Sequence, residues 1–191
     1  MKKSVYSLAL ALGVLAVAGC DQQGEARKDE ASKGTEAVKQ AGDKTIAAGL
    51  DQNSSFIKAA KAAGLDATLA GPGPYTVIVP DDAAFGKLPQ GTFDNWLKPE
   101  SRPELTRVMT NHILPGTVLV ADIGKAIDAG KGKAELATMG GGTLTATREG
   151  DKIVLTDSAG NKATMAGTDE TLANGVIHRV DAVLMPGKAT A

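Results

Sequence analysis

Cysteine is nearly absent from this sequence: Cys20 is the single thiol in 191 residues, so no disulfide can form within the chain. Aromatic residues are scarce as well, with one Trp, two Tyr and three Phe. Neither sign of charge is in excess, because 21 Lys and Arg face 22 Asp and Glu. This balance excludes the strongly basic surface that is typical of nucleic-acid binding. The chain is still long enough to bury a core of aliphatic residues without disulfides.

The longest apolar run falls short of a membrane span. It covers residues 5–17 and is shorter than the roughly 18 residues that favour a spanning helix. Two lysines precede this run, and small residues follow it up to Cys20. A basic start, an apolar middle and a small-residue cleavage site are typical of a secretory signal peptide, which we expect at residues 1–19. The alternative is an ordinary signal peptide that is cleaved without lipidation.

The end of this leader, Val17-Ala18-Gly19-Cys20, resembles the lipobox of bacterial lipoproteins. The resemblance implies that the peptide before Cys20 is removed and that Cys20 carries a diacylglyceryl group and an N-acyl chain. Several acyl chains anchor a protein firmly, at about 0.8 kcal/mol for each buried CH2. We therefore expect an exported protein, lipid-anchored in the cell envelope and facing the periplasm or the exterior. Asp21 resembles the inner-membrane retention signal of enteric lipoproteins and favours that membrane.

Composition divides the rest of the chain into three segments. Residues 20–44 are charged and almost free of large apolar side chains, so they cannot bury enough surface to offset their ordering entropy. We expect a flexible tether there; the alternative is a short surface helix rich in Ala, Glu and Lys. Residues 45–187 have the apolar periodicity of one folded domain, and residues 188–191 form a short tail.

Helix signals predominate in the first half of the domain. Ser54 or Ser55 is placed to cap a helix that ends at Gly64. A Gly-Pro-Gly-Pro turn then precedes the apolar strand 75–79, and Asp82 is placed to cap a short helix after it. These signals predict helices on both sides of a buried strand.

The best-defined helix follows a predicted capping box, in which Ser101 and Glu104 have the required spacing. Apolar positions then recur at i, i+3, i+4, i+7 and i+8, which predicts one continuous helix face. The face consists of Leu105, Val108, Met109, His112 and Ile113. We expect Pro115-Gly116 to end this helix, so that His112 points inward.

Strand and turn signals predominate after that helix. They predict a meander of hairpins packed on the helical half, and hence an α+β fold. The expected strands cover residues 118–123, 143–148, 153–155, 162–165 and 176–185, of which the last is the longest.

Three segments, taken in order and with their spacing, resemble the fasciclin domain family. They are YTVIVPDDAAF at 75–85, NHILPG at 111–116 and NGVIHRVDAVL at 174–184. The resemblance covers residues 45–187 and implies a wedge-shaped β-sandwich with helices packed along one edge. It also implies an extracellular adhesion or protein-interaction module. No common catalytic activity is attached to this fold.

Two residues depart from the family pattern. Asp81 stands where the family usually has threonine, which could alter a helix cap without changing the fold. Glu170 follows Asp169 where animal relatives carry an Asp-Ile pair that is linked to integrin contact. An integrin-type role is therefore not expected.

Two histidines and their neighbours are the candidate site residues. Because His112 lies on an apolar helix face, we interpret it as a buried, hydrogen-bonded residue and not as a base or a metal ligand. The resemblance places the first-box aspartate, Asp82, close to this histidine, and we interpret the pair as a structural clamp. His178 shares its strand face with apolar residues and is also expected to be packed. The family-motif residues with an expected structural role are Asp82, His112, Pro115, Gly116, Asn174, Gly175 and His178.

Asn174 and Gly175 are best explained by a turn, because both residue types tolerate positive φ. No catalytic, cofactor or metal site is expected. The sequence contains no His-Glu-x-x-His, Cys-x-x-Cys, Walker or nucleophile-elbow motif. Two histidines without a third ligand also make a poor zinc site.

The sequence therefore predicts a lipid-anchored envelope protein whose domain binds another protein or a cell-wall or matrix polymer. It is expected to be no enzyme and to carry no cofactor beyond the lipid on Cys20. The alternative is a periplasmic carrier of a small apolar ligand, a lipid or a pigment, which the scarcity of aromatic residues weakens. An enzyme is the third hypothesis, and it requires His112 to lie exposed in a cleft beside Asp82.

Overall fold

The computed structural model describes residues 43–187. The expected signal peptide at 1–19, the expected lipidation site Cys20, the tether up to residue 42 and the tail at 188–191 lie outside the described residues. Their assignments stay predictions from the sequence.

Helices predominate in the first half of the described chain, and strands predominate in the second. The helices are α1 (Ile46–Gly49), α2 (Ser55–Ala63), α3 (Asp66–Ala70), α4 (Asp82–Gly86), α5 (Thr92–Trp96), α6 (Arg102–Thr110) and α7 (Val120–Ala129), with a 3-10 turn at Pro99–Ser101. The strands are β1 (Tyr75–Pro80), β2 (Ile113–Pro115), β3 (Lys133–Ala137), β4 (Thr143–Glu149), β5 (Lys152–Thr156), β6 (Lys162–Thr164), β7 (Glu170–Leu172) and β8 (Gly175–Val180). Among the described residues, no helix combines the length and the apolar character that a membrane crossing requires.

The strands form two four-stranded sheets. In the first sheet the order is β2-β1-β8-β7, with β1 and β8 parallel and the outer pairs antiparallel. In the second sheet β3, β4, β5 and β6 form an antiparallel meander, in which β4 to β6 were predicted and β3 was not. The sheets meet where Met165 pairs with Val180. The α+β fold class is confirmed.

The first sheet separates two apolar clusters. Successive side chains of a strand point to opposite faces, so Val77 and Val79 of β1 enter the cluster that contains the helices. Ile78 points the other way and enters the cluster that contains the second sheet. Ile177 and Val180 of β8 divide in the same manner. Because both of its faces are covered, β1 has a continuous apolar run at 77–79 instead of an alternating pattern.

Helix α2 begins and ends as its sequence predicted. The Ser54 hydroxyl accepts a hydrogen bond from the Ile57 N–H at 3.3 Å, and Gly64 ends the helix in the left-handed conformation. The predicted capping box at α6 is wrong, because the Ser101 side chain makes no cap hydrogen bond. Its intended partner, Glu104, accepts a hydrogen bond from the Trp96 indole at 3.1 Å instead.

Helix α6 is shorter than its apolar face predicted. It ends at Thr110, and Ile113 opens β2 because its backbone pairs with Val77 of β1. Pro115 therefore ends a strand rather than the helix. His112 lies between the two elements, and it is buried as predicted.

Two strand predictions are wrong. Residues 118–123 do not form a strand, because α7 starts at Val120, where the Asp169 carboxylate accepts the first N–H at 2.9 Å. The strand expected at 176–185 is only the six-residue Gly175–Val180 and is shorter than the seven-residue β4.

Candidate functional site

Both ring nitrogens of the buried His112 are engaged. Nδ1 lies 2.8 Å from the Val108 carbonyl oxygen, and the Leu184 N–H donates to Nε2 at 3.0 Å. A carbonyl only accepts and an N–H only donates, so the ring is neutral with its proton on Nδ1. Burial lowers the pKa of His112 to about 4. The Val108 carbonyl and the charge of Asp157 raise this pKa, but by less than burial lowers it. The imidazole links α6 to the chain after β8 and has no nitrogen left for a substrate.

His178 is also buried, on β8, but only one of its ring nitrogens forms a hydrogen bond. Nε2 donates to the Val118 carbonyl oxygen at 2.7 Å, whereas Nδ1 lies 3.4 Å from the Asp169 carboxylate without forming one. Burial lowers the pKa of His178, while the Val118 carbonyl, Asp169 and the Thr168 backbone act in the opposite direction. His178 thereby connects β8 to the start of α7.

The expected pair between Asp82 and His112 does not form. Asp81 caps α4 by accepting the Ala84 N–H at 2.6 Å, so the cap lies one residue earlier than predicted. Asp82 is the first residue of the helix, and its carboxylate accepts the Ser55 N–H at 2.8 Å. That hydrogen bond is the main cause that lowers the pKa of Asp82. The carboxylate therefore connects the starts of α4 and α2 at the surface.

Asn174 is buried and does more than form a turn. Its Oδ1 accepts the Ile46 N–H at 2.7 Å, and its Nδ2 donates to the carbonyl oxygens of Leu69 and Gly71 at 2.9 and 2.8 Å. One side chain thus connects the start of α1 and the end of α3 to the start of β8. The turn propensity of the Asn-Gly pair gave no signal for these contacts.

Pro115, Gly116 and Gly175 shape the sheet around Tyr75. Pro115 lies opposite Tyr75 at the end of β2. Gly116 has a left-handed φ of 85°, and its N–H donates to the Pro74 carbonyl at 3.0 Å. A Cβ on Gly175 would collide with the Tyr75 carbonyl oxygen, so only glycine allows β1 and β8 to approach here.

Within residues 43–187, no three His, Cys, Asp or Glu side chains are grouped closely enough to hold a metal ion. The backbones of the two histidines lie on either side of Ile78 of β1: its N–H donates to the His112 carbonyl at 2.8 Å, and His178 lies opposite it in the parallel pair. Their side chains nevertheless bond separate backbone groups, His112 through both ring nitrogens and His178 through Nε2. The arrangement holds elements together and presents no constellation of a nucleophile, a base and an acid.

A groove with a volume of about 490 Å³ lies between the α4–α5 region, residues 161–162 and the chain after β8. We call it the Trp96 groove. Its surface is mainly apolar, and neither histidine lines it. The residues that define it are Lys87, Leu88, Trp96, Asn161, Lys162, Val183 and Met185. Its volume lies within the range of roughly 300–1,000 Å³ that is usual for small-molecule sites.

A buried carboxylate fixes two sides of the Trp96 groove. Asp157 follows β5 and accepts the N–H groups of Ala159 and Asn161 at 2.9 and 2.8 Å. It also accepts the Asn161 side-chain amide at 2.8 Å and the Met185 N–H at 2.6 Å. Asn161 and Met185 both line the groove, so Asp157 sets the distance between them. The groove is therefore formed before any ligand arrives.

The sequence did not reveal this groove, because its sides come from segments that are far apart in the chain. The usable signal was the single tryptophan, which is 3 % exposed and buried against the helices. In the same apolar cluster, Phe85 and Phe93 pack edge to face with ring centroids 5.2 Å apart.

Comparison with known proteins agrees with the motifs. The model of the fasciclin domain family matches residues 51–186. Protein sll1483 of Synechocystis sp. is 35% identical over 141 residues, which cover 74% of this chain and 71% of that protein. Immunogenic protein MPB70 of Mycobacterium bovis is 33% identical over 114 residues, covering 60% of this chain and 51% of that protein.

Two further similarities involve an animal protein and a solved structure. Transforming growth factor-beta-induced protein ig-h3 of Sus scrofa is 34% identical over 132 residues, which are 69% of this chain and 17% of that protein. The solved FAS1 domain pair from the insect cell adhesion molecule Fasciclin I has a TM-score of 0.63 at 17% identity, covering 77% of this chain and 52% of that one. The structural similarity establishes the fold, and together with the family match over residues 51–186 it shows that the chain belongs to the fasciclin domain family.

Proposed function

We propose that this protein is a non-catalytic binding module of the bacterial cell envelope, anchored by lipid on Cys20. Its partner is another protein or a cell-wall or matrix polymer. One observation supports the absence of catalysis at His112: both of its ring nitrogens are hydrogen-bonded to backbone groups. A general base needs an available nitrogen within hydrogen-bond reach of its substrate. His178 is also buried, and its Nε2 donates to the Val118 carbonyl oxygen before the start of α7.

Similarity to other proteins supports a binding role. The insect protein whose domain pair shares this fold is named as a cell adhesion molecule. In this chain the side chains of His112, Asn174 and His178 connect helices and strands, so these elements form a rigid support for the surface loops. Such a support leaves binding to surface features, and the Trp96 groove is a preformed, mainly apolar concavity among them.

Replacement of the single cysteine tests the anchor. With Cys20→Ser, we expect labelled palmitate no longer to be incorporated and the protein to leave the membrane fraction, because the acyl chains supply the membrane affinity. Asp21→Ser is the matched control: it keeps the thiol and should keep the label. Unchanged membrane association of Cys20→Ser would refute the anchor.

The Trp96 groove favours a second candidate, a periplasmic carrier of a small apolar ligand such as a lipid or a pigment. Its apolar surface and its volume of about 490 Å³ suit a single small molecule. Organic extraction of protein purified from its own cells tests this candidate. A stoichiometric lipid or pigment in the extract is the expected result, and an empty extract from freshly purified protein would argue against it.

A further inference from the structure

The floor of the Trp96 groove suits a hydrocarbon chain. Leu88, Pro89 and Met185 supply its accessible apolar surface, while Trp96 and Val183 also line it but are almost fully buried. The indole N–H of Trp96 is already donated to Glu104, so the ring offers a ligand no hydrogen bond. A ligand that lies on this floor gains from burial of CH2 groups.

The charge of the groove has one sign. Its charged lining residues are Lys87 and Lys162, and its lining contains neither Asp nor Glu. The Lys162 ammonium is balanced by Glu149 at 2.7 Å. The Lys87 ammonium instead donates to the backbone carbonyl of Asp181 at 2.7 Å, which is a neutral acceptor. Since an ammonium has three donors, Lys87 retains two N–H groups and an unbalanced charge beside the apolar floor.

The hydrogen bond to Asp181 also positions this charge. It holds the Lys87 side chain, at the end of α4, against the chain after β8. On the other side, Asp157 holds Asn161 and Met185 in place. A ligand therefore meets a cation and an apolar surface whose relative position is already set, which lowers the ordering cost of binding.

We propose that the Trp96 groove binds a single-chain amphiphile whose headgroup is a carboxylate. The chain lies along Leu88, Pro89 and Met185, and the carboxylate accepts hydrogen bonds from the Lys87 ammonium. One ammonium matches the single negative charge of a carboxylate, and the volume of the groove suits one chain. This inference rests on the second candidate function and names its ligand class.

The test uses the full chain with Cys20→Ser, so that no acyl group of its own competes for the groove. Dodecanoate is titrated below its micellar concentration, and the emission of Trp96, the single tryptophan, reports binding in the groove itself. We expect saturable binding, and dodecanol, with the same chain and no charge, should bind at least about tenfold more weakly. Dodecyltrimethylammonium should not bind measurably, because its charge matches that of Lys87.

Variants of the cation complete the test. Lys87→Met should weaken dodecanoate about tenfold or more and leave dodecanol unchanged, and Lys87→Arg should restore most of the affinity. Lys125→Met is the matched control, since Lys125 is an exposed lysine of α7 outside the groove. Thermal unfolding without ligand shows whether each variant is folded.

Each other outcome overturns the inference. Equal affinities for dodecanoate and dodecanol, or an unchanged affinity in the folded Lys87→Met, would refute the carboxylate headgroup while the apolar carrier stands. Absence of binding by both compounds would refute the inference, and the organic extraction then decides separately whether the groove carries another apolar ligand. The lipid anchor would remain unaffected, because the palmitate labelling tests it separately.

Discussion

At the scale of single residues, the partners of a side chain decide its role more than its chemical type does. His112 has the chemistry of a base, but a carbonyl and an N–H fix its tautomer and occupy both nitrogens. Lys87 has an ordinary exposed side chain, but a neutral acceptor leaves its charge unbalanced beside an apolar surface. The sequence predicted the burial of His112 from its apolar spacing. It did not predict the hydrogen bond from the Leu184 N–H to His112, because these two residues are far apart in the chain.

The lowered pKa of His112 predicts acid sensitivity. Since its pKa is about 4 in the folded protein and 6.5 in the unfolded chain, the unfolded chain takes up the proton first. The stabilisation is complete above pH 6.5 and is lost as the pH falls towards 4, and the difference corresponds to roughly 3 kcal/mol. Denaturant unfolding across this range should show a steeper loss for the wild type than for His112→Gln. An NMR titration of the imidazole near pH 6.5 would contradict this account.

At the scale of elements, predictions succeeded where the signals are local. The cap and stop of α2, the apolar strand β1 and the meander β4–β6 all follow from residues inside or beside each element. Helix α7 was missed, because no side chain at its own start caps it. Its first N–H is accepted by Asp169, 49 residues later in the chain. Without a capping residue beside it, the apolar run at 118–123 was predicted to be a strand.

The two serines that were assigned as helix caps make a matched pair. The Ser54 hydroxyl accepts the Ile57 N–H, whereas Ser101 makes no cap bond. Ser54→Ala should therefore lower the free energy of unfolding by about 1 kcal/mol, and Ser101→Ala should change it by less than about 0.5 kcal/mol. Urea unfolding of both variants measures the difference. Equal losses would mean that the cap of α6 forms in solution after all.

At the scale of the whole molecule, the family was predictable and the candidate site was not. Three short motifs sufficed for the fasciclin family, because their order and spacing together are specific where each motif alone is weak. The Trp96 groove has its sides in α4, in the turn before β6 and in the chain after β8. It exists because Asp157 and Lys87 hold these segments together through backbone groups. Hydrogen bonds of side chains to distant backbone leave no pattern in a sequence.

The central claim is that this domain acts by binding at the Trp96 groove rather than by chemistry at its histidines. A photo-cross-linking amino acid at Thr92, which lines the groove, tests the claim in intact cells, with Ala126 on the exposed face of α7 as the control position. We predict covalent adducts at Thr92 and few at Ala126, and the mass of the adduct identifies a lipid, a protein or a polymer. Adducts at Ala126 without any at Thr92, or equal yields at both positions, would contradict the account.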